Sequence, residues 1–256
     1  MDLHLKDKVF IVSGGAKGIG KSICTLLYED GAIPVLLDKD EASGNAFVKQ
    51  FPRSHFYPLD LNDAFATKKA IDAAEKKLGR IDGLVNNAGF NDDIGLEKGS
   101  PQKFLQSLNS NTAHYYNLAH YCLPALKNSK GSIVNISSKV AITGQGNTSG
   151  YAAAKGAILS LTREWAVELL PYSIRVNAVL PAQVITPLYE YWLSTYPDPA
   201  KKRKEIEDEI PLGARMTSPD EIANTVVFLL SDRSSHTTGE WVYVDGGYVH
   251  LNRVLS

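Results

Sequence analysis

Gly14, Gly18 and Gly20 follow a short apolar run and open a stretch of helical patterning, with the spacing G-x-x-x-G-x-G. Glycines there allow a tight turn and a close backbone approach. The helix that follows offers free N–H groups and a positive dipole end to a pyrophosphate. Asp38 ends the second apolar run, 18 residues after Gly20. An acid at that place hydrogen-bonds the hydroxyls of an adenine ribose and repels a 2′-phosphate, which favours NAD over NADP. Lys17, inside the turn, argues the other way: it could pair with a 2′-phosphate, or it could be a solvated surface charge. Further along, Tyr151 and Lys155 are four apart in a helical pattern and so share a face. Ser138 lies just past a strand end, on the side where such sheets bind ligands.

The elements that must position these residues alternate almost from end to end. Strand-like runs occur at residues 9–12, 33–37, 55–57, 81–85, 132–136, 174–179 and 240–244. Helical patterns occur from about 18 to 31, 41 onward, 64–78, 101–126 as one long helix, 150–169 and 219–230. Pro34 limits the pairing of the second strand at one point. Apolar strands alternating with helices predict an α/β fold: one doubly wound, Rossmann-like parallel sheet with helices on both faces. No linker, repeat or low-complexity stretch divides residues 1–256, so they read as one domain. The stretch from about 186 to 215 breaks the rhythm and reads as an insertion over the end of the sheet. Within it Lys201-Lys202-Arg203-Lys204 is followed by Glu205, Glu207, Asp208 and Glu209, the mixed-sign pattern of a solvated helix.

Composition narrows the function classes. The 256 residues carry 27 Lys and Arg against 28 Asp and Glu, a formal charge of −1, which speaks against a polyanion clamp for nucleic acid. No apolar run reaches the roughly 18 residues of a membrane span, and the N-terminus lacks a basic stretch followed by an apolar one. Cys24 and Cys122 form no metal-binding or disulfide pattern. Reduced, buried thiols in a cytoplasmic protein without a metal site are expected.

Four features coincide: the glycine turn, Asn86-Asn87-Ala88-Gly89, Ser138 after the fifth strand, and Tyr151 with Lys155 13 and 17 residues beyond it. Together with Asn111, Arg175-Val176-Asn177-Ala178 and Val244-Asp245-Gly246-Gly247, they resemble the short-chain dehydrogenase/reductase family over nearly the whole chain. Ser13 stands for the family's more usual Thr, and Pro181-Ala182 for its usual Pro-Gly. The resemblance implies that Tyr151 is the base in oxidation and the acid in reduction. Lys155 and the positive nicotinamide would together lower the phenol's pKa from its usual value of about 10, and Lys155 would bind the nicotinamide ribose. Ser138 would orient the reacting oxygen, and Asn111 would hold a water linking Lys155 to solvent. It further implies that Gly14, Lys17, Gly18, Ile19, Gly20 and Asp38 line the cofactor. Asp60 and Leu61 would lie at the adenine, Asn87, Ala88 and Gly89 along the ribose, and Val184 and Thr186 at the carboxamide. No metal is needed, and a homotetramer is implied.

The polar residues near the active-site end, Asn91, Asp92, Lys139, Gln145, Asn147 and Gln183, with aromatic Tyr189 and Trp192, suit a sugar, whose hydroxyls need directional partners. The local sequence is similar to a subgroup of the family, the bacterial L-fucose dehydrogenases. The similarity runs through residues 86–96, His114-Tyr115-Tyr116, Ser137-Ser138-Lys139, residues 143–151, Thr186-Pro187-Leu188-Tyr189 and residues 235–239. Gln183 stands where that subgroup has Glu, and Asp38 is more acidic than its usual second-strand end. The implied reaction is oxidation of the anomeric hydroxyl of L-fucose or a related aldopyranose by NAD or NADP. Two rivals remain: a 3-oxoacyl-thioester reductase of the same fold, and a non-catalytic dinucleotide sensor. His236 is expected to be a structural loop residue, and Tyr115, Tyr116 and Tyr121 to form a helix-packing face.

Overall fold

A computed structural model describes residues 2–251; residue 1 and residues 252–256 of the expected domain lie outside the described residues. In chain order the elements are β1 (Val9–Ser13), α1 (Gly18–Glu29), β2 (Ile33–Asp38), α2 (Glu41–Gln50), β3 (His55–Pro58), α3 (Ala64–Leu78), β4 (Gly83–Asn86) and α4 (Pro101–Leu108). A single π-helical turn, Asn109–Ala113, joins α4 to α5 (His114–Ser129). Then come β5 (Ser132–Ile136), α6 (Val140–Thr143), α7 (Ser149–Glu168), β6 (Arg175–Pro181), α8 (Pro187–Ser194), α9 (Pro199–Asp208), α10 (Pro219–Leu230) and β7 (Trp241–Val244). All strand pairs are parallel, in the order β3-β2-β1-β4-β5-β6-β7.

The doubly wound sheet is thus present, and its strands show why they read as continuous apolar runs. In β1, Val9 and Ile11 pack with α3, α5 and α7 residues such as Ile71, Leu118 and Ile158. Phe10 and Val12 face the opposite layer, with Ile23 and Leu27 of α1 and Val226 of α10. Successive side chains point to opposite faces, and both faces are covered. Pro34 sits inside this sheet without leaving a gap. Its position pairs with Phe10 of β1, but β3 begins pairing only at Val35, so its missing N–H falls beyond the β3 register.

The chain order reverses between β1 and β4. Ligand crevices form at such a switch point, outside the carboxyl ends of the strands. The glycine turn leaves β1 there and Asn87–Gly89 leaves β4. The expected single helix over 101–126 is interrupted by the π turn, which widens the helix by one residue at Asn111. The insertion between β6 and α10 comprises α8 and α9. Its base is closed by a bridge between Val184 and Thr217, with Ile185 N–H donating to Thr217 O at 3.0 Å. Leu193, Ile210 and Met216 give it a small core of its own, with Tyr189 and Tyr248 against it. The charges of α9 pair along the helix, Arg203 with Glu207 and Lys204 with Asp208, as the mixed-sign pattern predicts.

A buried polar ladder ties the active-site helix to the sheet. Asn86 Nδ2 donates to Asn135 Oδ1 (3.0 Å), and Asn135 Nδ2 donates to Thr162 Oγ1 (3.0 Å) on α7. Asn135→Ala leaves both neighbours short of a buried partner, and is expected to lower unfolding free energy by about 1–3 kcal/mol. Denaturant unfolding measures this; an unchanged midpoint would show that the ladder carries no stability.

Candidate active site

The glycine turn is built by close approach. A Cβ on Gly20 would sit 2.0 Å from Gly14 O, and one on Gly14 would sit 3.0 Å from Asn87 Nδ2 and 3.1 Å from Ala88 Cα at a φ of +65°. Ser13 and Asn87 fix the turn. Ser13 Oγ accepts from the N–H of Asn87 (2.9 Å) and of Ala88 (3.1 Å), and Asn87 Nδ2 donates to Ser13 O (3.0 Å) and Gly14 O (3.2 Å). The hydroxyl that Ser13 shares with Thr is therefore in use. α1, starting after Lys17, has no side-chain cap, as is also true of α5, α6 and α7. Its first N–H groups and dipole end thus remain available to an anion.

Asp38 is held at the end of β2 by two backbone donors, Ala16 N–H to Oδ2 and Asp40 N–H to Oδ1, both 3.0 Å. A carboxylate has about four acceptor positions, so capacity for ribose hydroxyls remains. Lys17 is largely exposed and forms an ion pair with Asp40. That hydrogen bond holds the Asp40 carboxyl down at about 2 and raises the Lys17 ammonium. Thr186 caps α8 through Tyr189 N–H (3.2 Å), and its side chain lies 3.4 Å from where a Gly18 Cβ would be. Val184 is buried beside it in sequence, and Ile19 packs against the α1–α10 core. Asp60 is exposed and spends Oδ1 on Asn62 N–H and Nδ2; Leu61 packs against the α3–α5 core. Turn, acid and uncapped helix together fit a dinucleotide.

On the other side of the switch point, Lys155 is 2% exposed. Its Nζ donates to Ile136 O (2.8 Å) and to Tyr115 Oη (3.1 Å), and lies 5.6 Å from the centre of the Tyr151 ring. Burial takes its ammonium down to about 7. Burial also pushes the Tyr151 phenol up to about 12, and a hydrogen bond with Ser138 recovers part of that. The ammonium is directed at Tyr115 and Ile136, and desolvation governs both groups.

Asn111 is buried within the π turn. Its Oδ1 accepts from Phe90 N–H (2.8 Å) and its Nδ2 donates to Ser107 O (3.1 Å). Both ends of its side chain are therefore bonded to backbone, fixing the loop after β4. Gly89 makes room for this: a Cβ there would sit 3.0 Å from Asn111 Oδ1 and 3.3 Å from Lys155 Nζ.

The expected sugar-binding residues divide. Lys139 is buried, its Nζ 3.6 Å from the centre of the Tyr248 ring. Asp92 and Gln183 each bury an oxygen, Oδ1 and Oε1, that has no hydrogen-bond partner among the described residues. Tyr189, Trp192 and Tyr196 stack edge to face at 5.2 and 5.0 Å along α8 and beyond. Asn91, Gln145 and Asn147 are exposed. Asn91 serves a local turn, accepting from Asp93 N–H (3.2 Å), and Asn147 packs its backbone against Gly95. Sequence reasoning assigned Tyr115 to a packing face alone; its ring is in the core, but its hydroxyl reaches Lys155. The signal was a polar aromatic on a helix four residues after Asn111.

A family model described as enoyl-(acyl carrier protein) reductase matches residues 14–249. A crystal structure of Cj0485 dehydrogenase is 46% identical, with a TM-score of 0.96, covering 100% of this chain and 99% of that one. L-fucose dehydrogenase of Bos taurus is 37% identical over 248 residues, 96% of this chain and 91% of that protein. A 3-oxoacyl-[acyl-carrier-protein] reductase of Thermotoga maritima is 35% identical over 252 residues, 96% and 100% respectively. The chain belongs to the short-chain dehydrogenase/reductase family. As such it is an NAD(P)-dependent oxidoreductase acting on a hydroxyl or carbonyl substrate. Among the described residues no three His, Cys, Asp or Glu side chains are grouped to hold a metal, and no helix is long and apolar enough to cross a membrane. Cys24 and Cys122 are free and buried.

In a short-chain dehydrogenase with this packing, Gly89→Ala forces its Cβ between Asn111 and Lys155. Overpacking of this kind is expected to cost about 1–3 kcal/mol of stability and to weaken dinucleotide binding. Thermal melting and a fluorescence titration with NADH check it; unchanged affinity with a normal melt would show that the site has slack.

Proposed function

We propose that this enzyme oxidises the anomeric hydroxyl of L-fucose, or a closely related aldopyranose, to the aldonolactone, and that it prefers NAD to NADP. The observation that carries the substrate class is the pair of buried, unpartnered acceptors, Asp92 Oδ1 and Gln183 Oε1. An acceptor buried without a partner is costly, and a ligand bearing hydroxyl donors satisfies it. A pyranose offers several; the alkyl chain of an acyl thioester offers none. The aromatic edge of Tyr189 and Trp192 supplies an apolar surface for the C–H face of a sugar. The L-fucose dehydrogenase relative supports the same reading, and the equally similar thioester reductase is its rival.

In this reading Ser138 Oγ holds the C1 oxygen of the sugar and Tyr151 Oη takes its proton as the C1–H bond breaks. The ring oxygen stabilises the positive charge developing at C1. The bound oxidised dinucleotide supplies the hydride acceptor and a positive charge beside the phenol. Lys155, charged, favours the phenolate and binds the ribose. Residues 186–215, with their own small core, act as a lid over the sugar. Exposed Leu105, Tyr116 and Val167 on α4, α5 and α7 support a homotetramer built on those helices. The cofactor preference follows from charge: Asp38 repels a 2′-phosphate, and Asp40 engages the one lysine within the turn.

A panel of aldoses with NAD⁺ and NADP⁺ tests the substrate. L-fucose, L-galactose or D-arabinose should be oxidised, and Tyr151→Phe should lower turnover by about 10²–10⁴-fold with NADH binding retained. Rapid reduction of a 3-oxoacyl thioester with no aldose turnover would overturn the proposal. The charge argument makes a separate prediction. Asp40→Asn releases Lys17, and should raise kcat/KM for NADP⁺ about two- to fivefold; an unmoved NADP⁺/NAD⁺ ratio would refute it.

A further inference from the structure

We propose that Tyr115 is a positioning residue for the reaction, acting through Lys155: its hydroxyl is the side-chain acceptor that holds the buried ammonium at the end of β5. This rests on the reading that Lys155 serves catalysis. Tyr115 lies on α5, just beyond the π turn that carries Asn111, and is fully buried in the core between helices and sheet. A buried phenol is tolerated when its hydroxyl is bonded. Here the O–H donates to Ile136 O at 2.9 Å, which alone would satisfy a packing side chain. The same oxygen also accepts from Lys155 Nζ at 3.1 Å, and that ammonium donates in turn to Ile136 O at 2.8 Å. Tyr115 Oη, Lys155 Nζ and Ile136 O thus form a closed triangle, two residues before Ser138.

The groups facing Lys155 leave this triangle as its support. From α7 comes Tyr151, a neutral phenol held up by burial. From α5 come Tyr115 and His114; the His114 imidazole, buried and repelled by Lys155, is held down at about 4 and is neutral in the working range. Asp60 acts on His114 and is itself exposed. From the loop after β4 comes Gly89, and from the π turn Asn111, and neither is charged. No carboxylate among the described residues pairs with Lys155. With burial already opposing the charge, each acceptor counts towards keeping the ammonium.

The sign of the effect follows. Removing the hydroxyl removes an acceptor that favours the charged form, so Lys155 loses its proton at lower pH. A reaction that needs the ammonium then fails earlier as pH rises. Tyr115→Phe keeps the ring in the core. With the alcohol that the aldose panel turns over fastest, the alkaline limb of the pH profile of kcat/KM should move down by about 0.5–1 pH unit. kcat above that limb should fall about three- to tenfold, with the sugar KM changed less than about twofold. A lower melting temperature with an unmoved limb would mean that Tyr115 is structural only, and would overturn the proposal. If Tyr115→Phe does not fold, 3-fluorotyrosine at position 115 keeps shape and hydroxyl but is a poorer acceptor; it should move the limb in the same direction, and an unmoved limb there refutes the proposal. Lys155→Ala separates the two levels: retained turnover in that variant refutes the catalytic reading of Lys155, whereas loss of turnover with an unmoved Tyr115→Phe limb refutes only the role of Tyr115.

Discussion

The Lys155 ammonium is carried into the interior where the end of β5 meets α5 and α7. A charge in that position is stable only with good partners. The chain supplies a main-chain carbonyl, Ile136 O, and a phenolic oxygen, Tyr115 Oη, at hydrogen-bond distance. Much of the surrounding architecture keeps these three atoms in register. Ser137 Oγ donates to Lys155 O at 2.9 Å, stitching α7 to the residue after β5. The Asn86–Asn135–Thr162 ladder does the same about two turns further along α7. The π turn swings Asn111 inward, where its amide fixes Phe90 N–H and would leave a Cβ at Gly89 only 3.0 Å from Asn111 Oδ1 and 3.3 Å from Lys155 Nζ.

The dinucleotide side of the crevice obeys a complementary constraint. There the backbone has to come close to a pyrophosphate, so side chains are excluded and hydrogen bonds from Asn87 and Ser13 hold the turn instead. Charge is arranged with equal economy. The formal charge of −1 for the whole chain conceals Asp38, pinned by two N–H donors, and a Lys17–Asp40 pair beside it. A local negative surplus survives because one lysine faces two acids. Parallel strand ends bring both halves to the same edge: β1 and β2 deliver the turn and the acid, β4 and β5 the loop and the serine.

The fold was legible because its causes are local and repetitive. Two-sided burial makes β1, β2 and β5 near-continuous apolar runs, and helix starts are marked by Asp63, Ser100-Pro101 and Ser218-Pro219, each seen capping its helix. The π turn was not legible, since one extra residue in a helix leaves no mark in a hydrophobic pattern. The glycine turn and the Tyr151–Lys155 pair could be read from spacing. The partners of Lys155 could not: Tyr115 Oη is 40 positions away and Ile136 O is a main-chain atom. For the same reason spacing alone does not show that burial raises the Tyr151 phenol while Lys155 Nζ bonds Tyr115 and Ile136.

At the substrate end, residues of similar type have different surroundings. Asn91, Gln145 and Asn147 looked as suited to a sugar as Asp92 and Gln183, yet they differ in what the fold does with them. Asn91 bonds its own loop, and Gln145 and Asn147 face solvent. Water or backbone already meets their needs. Asp92 and Gln183 bury an oxygen apiece without a partner. A folded chain retains such groups at a cost of stability, and the cost is recovered when a ligand brings donors to them. In the proposed function, selectivity for a polyol would rest on these unmet acceptors more than on the number of polar side chains. The same logic explains why an alkyl chain would be rejected there: it would displace water and leave both oxygens unpaired.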